Sequence, residues 1–283
     1  MLTALEESGQ ADNTIVVFLA DHGEYAAAHG MMLEKWYTAY QEALHVPVVV
    51  RFPRGRPDRD GPATAAPDPV QYDGVTSHID ILPTVLGLAG VTRDQRRQIG
   101  AKLAETRPVP PLPGVDLSTI IRHARSGDPA ILPIVEPDGQ EREGVLFITD
   151  DDITAPLAPS RTSQEKHSYE EFAVYLDVVE SVREGRHGKG PVALAPGPVK
   201  QPSHVRAVRT RDYKLARYFD PSGREAQQWE MYDVAHDPIE AVNLVEVRAS
   251  PPRAREDLPN RGEVQLVADR MASLLERLER RDL

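Results

Sequence analysis

The sequence has no cysteine among its 283 residues. Disulfides, thiolate metal sites and a cysteine nucleophile are thereby excluded in the chain as given. Aromatic residues are sparse at 6%, and lysine is scarce beside arginine. Positive charge is outweighed, with 33 Lys and Arg against 44 Asp and Glu and a net charge of −11. That balance argues against nucleic acid and anionic membranes as partners, because both are recognised through basic patches. No apolar run approaches the roughly 18 residues that a membrane-spanning helix needs. The opening MLTALEESGQADNT has neither the basic region nor the apolar stretch of a secretory signal. The expectation is a cytoplasmic chain with no nucleic-acid or membrane partner.

What the sequence does have is proline, 25 residues against 19 glycines. The prolines gather in residues 53–69, 107–113 and 190–202. Proline lacks the amide that a strand ladder needs and blocks helix interiors, so these stretches read as irregular connections. Between them lie patterned segments. LTALEESG (2–9) has helix formers followed by a glycine stop. TIVVFLA (14–20) is an unbroken apolar run that suits a strand buried on both faces of a parallel sheet. HVPVVVRF (45–52) is a second such strand. Leu33, Trp36, Tyr37, Tyr40, Ala43 and Leu44 have helical spacing, and TSHIDILPTVLGLAG (76–90) reads as a capped helix ending at glycine.

GVLFIT (144–149) is another short strand. HVRAVRT (204–210), YKLARYF (213–219) and WEMYDV (229–234) follow, separated by turn residues, as an antiparallel meander. Val264, Val267, Met271, Leu274 and Leu278 then mark an amphipathic helix. The fold class expected is α/β, with residues 1–190 in a larger sheet domain with flanking helices. Residues 191–283 are expected to form a small α+β subdomain of antiparallel strands with a C-terminal helix.

Chemistry is expected at Asp21, His22 and Gly23, which directly follow TIVVFLA. The carboxyl ends of strands in α/β sheets face the ligand crevice. A carboxylate next to an imidazole offers an oxygen and a nitrogen to a divalent cation, and glycine permits the sharp turn that aims both the same way. Standing alone, the tripeptide reads first as a polar strand-end turn capping the next helix, and two ligands do not complete a metal site. His78 and Asp80 read as structural, Asp80 complementing the dipole of the helix it opens. His204 and His236 read as surface or turn residues. Tyr213, Lys214, Trp229 and Tyr232 read as packing and edge residues of the meander.

The surroundings of this tripeptide resemble the sulfatase family of the alkaline phosphatase superfamily. The likeness rests on ESGQADNTIVVFLADHGEYAAAHGMMLEKWYTAYQEALHVPVVVRFP (7–53) and SHIDILPTVLGLAG (77–90). It continues in VRAVRTRDYKLARYFDP (205–221) and WEMYDVAHDPIEAVNL (229–244). By this resemblance Asp21 and His22 match the pair that binds the divalent metal, usually calcium, with magnesium or manganese as other candidates. Lys35 matches the lysine that contacts the sulfate group, where an ammonium stabilises charge developing in the transition state. His29 in AAAHG reads as a residue that supports the site or assists the leaving group, or equally as a structural one.

Two family features have no counterpart. One is the N-terminal strand ending in paired aspartates; Asp150, Asp151 and Asp152 come too late in the chain. The other is Cys/Ser-X-Pro-X-Arg, whose first residue becomes the formylglycine nucleophile. LAPSR (157–161) has leucine at that place, which holds no oxygen or sulfur to oxidise. The resemblance therefore implies the C-terminal portion of a metal-dependent sulfuric ester hydrolase, inactive alone, acting on a small-molecule sulfate ester once completed by an N-terminal-half polypeptide. The alternatives are a phosphonate monoester or phosphodiester hydrolase of the same superfamily, and the non-catalytic half of a split enzyme.

Overall fold

The computed structural model describes residues 1–30, 38–53, 69–110, 112–126, 132–150, 204–221, 223 and 225–283. A short helix α1 (Leu2–Glu7) ends where Gly9 turns at φ 70°, a conformation glycine adopts without strain. Strand β1 (Val16–Leu19) follows and pairs antiparallel with β2 (Val48–Arg51), matching Val16 with Arg51 and Leu19 with Val48. Between them a single helical turn, α2 (Gln41–Leu44), leads into β2.

The α/β class holds, but this strand pair differs from the parallel, doubly buried arrangement that its sequence suggests. The cross-strand partners Phe18 and Val49 remain 62% and 56% exposed. Leu19 and Val48, which alternate onto the opposite face, are also exposed. The physical reason is that, among the described residues, the pair forms a two-stranded sheet with nothing stacked over these positions.

The helical middle begins with a capped turn. Asp80 accepts from the Ser77 amide at 2.9 Å, and the Ser77 side chain answers the Asp80 backbone, the reciprocal arrangement of a capping box. Helix α3 (Ile81–Leu88) continues from it, followed by α4 (Arg93–Ala104) and α5 (Ser118–Arg125). Asp80 is buried and is gripped by the Arg142 guanidinium at 2.6 and 2.9 Å, while Arg142 Nε also donates to Glu136 at 2.6 Å. This interior ion cluster ties the start of α3 to the chain leading into β3.

Strand β3 (Gly144–Thr149) joins β4 (His204–Thr210), β5 (Tyr213–Phe219) and β6 (Gln228–Asp233) in one four-stranded antiparallel sheet of order β3-β4-β5-β6. The meander thus gains a fourth strand from earlier in the chain. Residue 190, the expected domain boundary, lies outside the described residues, as do Leu33, Trp36, Tyr37, Asp151, Asp152 and LAPSR.

Strand alternation gives this sheet two working faces. One carries Val208, Leu215, Trp229 and Met231 and packs against the long helix α6 (Arg261–Asp282) through Val264, Ala268, Met271, Leu274, Leu275 and Leu278. Burying each such leucine contributes roughly 1.5–3 kcal/mol. The other carries Val205, Ala207, Ala216 and Tyr218, and against it lies Ala39, from the segment just before α2. The sheet is therefore filled from both sides, by the C-terminal helix and by residues near position 40.

Candidate functional site

Asp21 and His22 stand just past the end of β1, as their sequence position predicts. The Asp21 carboxylate accepts from the His22 amide at 2.9 Å, and its side chain is 89% exposed. His22 Nδ1 lies 2.7 Å from the Gly23 carbonyl oxygen. A carbonyl can only accept, so Nδ1 is the donor, and in the neutral ring Nε2 keeps its lone pair. That Nε2 is 3.7 Å from Asp21 Oδ2, close enough for both atoms to touch one ion. The donor set, one hard oxygen and one imidazole nitrogen, fits part of a divalent-cation site. It leaves most of calcium's six to eight ligands to be found elsewhere.

The turn is held from two directions. His78 Nε2 donates to the Ala20 carbonyl at 2.8 Å, joining the head of α3 to the end of β1. The structural readings of His78 and Asp80 both agree with these contacts. On the other side the Gly23 amide donates to the Ala43 carbonyl at 3.0 Å. A Cβ on Gly23 would lie 1.7 Å from the Glu42 carbonyl oxygen. Glycine is required here because α2 passes directly against the backbone.

Beyond the turn, Ala26, Ala27 and His29 hold left-handed backbone at φ 45°, 78° and 52°, a strained sequence for residues with a Cβ. The His29 ring stacks on Tyr40 at 3.8 Å and places Nε2 3.1 Å from Glu42 Oε2. Lys35 lies outside the described residues.

A second group of ligand-type atoms emerges that the sequence reading did not assemble. His29, Glu42 and Glu240 bring ligand atoms within 4.8 Å of one another. The wholly buried Glu240 carboxylate is, however, already paired with the Lys214 ammonium and accepts from the Gln41 amide at 2.7 Å. Lys214 also donates to the Ala39 carbonyl and sits 5.6 Å from the ring centres of Tyr40 and Tyr232. The lysine supplies the positive charge that a metal would otherwise bring. Burial pushes its ammonium down from 10.5 to about 8, against the pull of Glu240. Burial likewise lifts the Tyr25 and Tyr40 phenols to about 12.

Lys214, which the sequence places among the packing and edge residues of the meander, points inward and is buried. The signal was available in YKLARYF, where period-two alternation places Lys214 on one face with Ala216 and Tyr218. Trp229 and Tyr232 are packing residues as expected, and His236 is an exposed turn residue beside Asp233. His204 contacts the Phe219 ring at 5.4 Å, and Asp150 binds the Arg206 guanidinium across β3 and β4.

Comparison with known proteins finds a family likeness in the part of the chain that holds this turn. The family model described as Sulfatase matches residues 1–91, the stretch that holds β1, Asp21, His22 and α3. That matched segment, residues 1–91, belongs to the sulfatase family. An arylsulfatase of Chlamydomonas reinhardtii is 35% identical over 92 residues, covering 32% of this chain and 13% of that protein. An N-acetylglucosamine-6-O-sulfatase of Bacteroides thetaiotaomicron is 24% identical over 244 residues, or 86% of this chain and 28% of that protein. The chain thus spans between about an eighth and just over a quarter of these relatives' length. A solved sulfatase structure, from work on glycosaminoglycan metabolism by Bacteroides thetaiotaomicron, superposes with a TM-score of 0.51 at 19% identity. It covers 98% of this chain and 40% of that one. At that identity the likeness establishes the alkaline-phosphatase-like fold.

Proposed function

We propose that this chain contributes the Asp21–His22 part of a metal-dependent sulfuric ester hydrolase acting on a small-molecule sulfate ester. The observation that carries the reading is the placement of this pair. It lies at the end of β1, inside the matched sulfatase segment, with His22 Nε2 3.7 Å from Asp21 Oδ2. The ion it favours is calcium, with magnesium or manganese as substitutes, held by Asp21 oxygen and His22 Nε2. Once bound, the ion would polarise the sulfate oxygens and offset their charge. Lys35 would add an ammonium at the sulfate group.

The remaining metal ligands and the nucleophile would come from an N-terminal sulfatase portion, and the chain alone would be inactive. The open faces at Phe18 and Val49 favour such a second polypeptide, because apolar side chains on paired strands are ordinarily covered. The test is co-expression with the region encoded immediately upstream of Met1, followed by assay of an aryl sulfate and an aryl phosphodiester. The expected result is co-purification, with sulfate ester turnover in the pair, none in the chain alone, and loss on Asp21→Ala. Faster diester turnover would transfer the assignment to phosphonate monoester or phosphodiester hydrolysis. Failure of the two polypeptides to associate would end the split-enzyme reading.

A further inference from the structure

The C-terminal sheet and the Asp21–His22 turn are far apart in sequence, yet a short series of contacts joins them. Lys214, on β5, has a side chain only 1% exposed, and its partner Glu240 is 0% exposed. The lysine donates to the Ala39 carbonyl, and Glu240 accepts from the Gln41 amide at 2.7 Å. Tyr40, between those two positions, donates to Glu230 on β6 at 3.1 Å. The backbone of residues 39–41 is thereby gripped at three successive positions, by Lys214 and Glu230 on the sheet and by Glu240 in the segment after β6. Directly after it, α2 presents the Ala43 carbonyl to the Gly23 amide and the Glu42 carbonyl to the space where a Gly23 side chain would be.

We infer that Lys214 and Glu240 are positioning residues for the metal-binding turn, setting through Ala39, Gln41 and α2 where Gly23, and with it Asp21 and His22, is held. The inference rests on the reading of Asp21 and His22 as the metal pair. A buried ion pair is an inefficient way to gain stability, because desolvating both charges offsets most of their attraction. Its advantage is directional: one ammonium and one carboxylate bind one carbonyl and one amide in a single register. An apolar pair of equal volume would fill the space without specifying that register. Glu240 itself holds left-handed backbone at φ 53°, a conformation unfavourable for glutamate that the surrounding contacts maintain. The groups facing the ammonium are Glu240, Glu230, Arg209 and the rings of Tyr40 and Tyr232.

The experiment compares the full chain with Lys214→Met and Glu240→Gln, following backbone amide signals by NMR. Two readouts are used: hydrogen exchange, and broadening by manganese(II), which reports weak binding. In both variants exchange at Gln41 and Gly23 should accelerate about tenfold or more while α6 and β6 stay protected. In the unaltered chain manganese should broaden signals around His22 at concentrations several-fold lower than in either variant. Asp21→Ala should abolish that broadening without altering exchange at Gln41. Unchanged Gly23 exchange in both variants overturns the inference. So does a Lys214→Met chain that loses signal dispersion throughout, since the pair would then hold up the whole sheet. If manganese broadens nothing in the unaltered chain, the metal reading of Asp21 and His22 fails. The exchange rates would still decide whether Lys214 sets the turn.

Discussion

Gly23 and Glu42 are in backbone contact: a Cβ on the glycine would lie 1.7 Å from the glutamate's carbonyl oxygen. Gly23→Ala cannot be absorbed by a side-chain rotation, because the obstacle is main chain. The substitution should cost about 1–3 kcal/mol, as overpacking does, and should push Asp21 and His22 away from α2. Urea unfolding would read the first effect and manganese titration the second. A variant with unchanged stability and unchanged metal response would refute the close approach.

Arg142 joins Asp80 to Glu136 with its side chain 2% exposed. Removing the guanidinium leaves the buried Asp80 carboxylate without its counter-charge and, among the described residues, Glu136 with only Arg281 at 3.4 Å, and breaking a buried pair typically costs about 3–5 kcal/mol. Arg142→Met is expected to lower the urea midpoint accordingly, with the capped start of α3 loosening first. A loss under about 1 kcal/mol would mean that the cluster is hydrated and contributes little.

Lys214 makes a signed pH prediction. Its ammonium is held at about 8 when folded, against an ordinary value of 10.5. Between those values the unfolded chain binds the extra proton, so the stability contribution of this group rises with pH from about 8. Above about 10 the buried phenols of Tyr25 and Tyr40, raised to about 12, act in the opposite direction. The gain is therefore confined to the window from about 8 to 10 and amounts to roughly 2–3 kcal/mol. Denaturation at pH 7.5 and 9.5 should show it in the unaltered chain and not in Lys214→Met. Equal slopes in the two proteins would place the lysine in water.

Phe18 and Val49 face each other across β1 and β2 with most of their surface open. Replacing both with serine is expected to change stability by no more than about 0.5 kcal/mol each, as exposed substitutions do. Self-association of the isolated chain should fall, and so should binding of a sulfatase N-terminal portion supplied as a second polypeptide. Sedimentation velocity measures both. Tight association by the doubly substituted chain would show that the partner covers some other surface.

Local patterns in the sequence carried much of this architecture. Period-two runs marked β4 and β5 residue for residue, the spacing of Val264, Met271, Leu274 and Leu278 marked α6, and Ser77 with Asp80 marked the head of α3. What they could not carry was partnership over distance. TIVVFLA is silent on which strand lies beside it, and GVLFIT does not reveal that its neighbour is β4. Helix α4 escaped notice because it buries no residue, although Thr92 and Gln95 spell a capping box. At the site, Asp21, His22 and Gly23 were readable as a tripeptide. The support of Gly23 by Ala43, and of Ala43's segment by Lys214, depends on contacts made across the fold.

Because residues 38–44 rest on the outer face of the C-terminal sheet, that sheet is a floor beneath the loop that follows β1. Its exchange by recombination would succeed only where the donor brings a lysine and a glutamate matched to the recipient's Ala39 and Gln41 backbone. Homologous chimaeras joined between residues 53 and 144 should therefore inherit compatibility at one small patch, and that patch predicts which crossovers express as ordered protein.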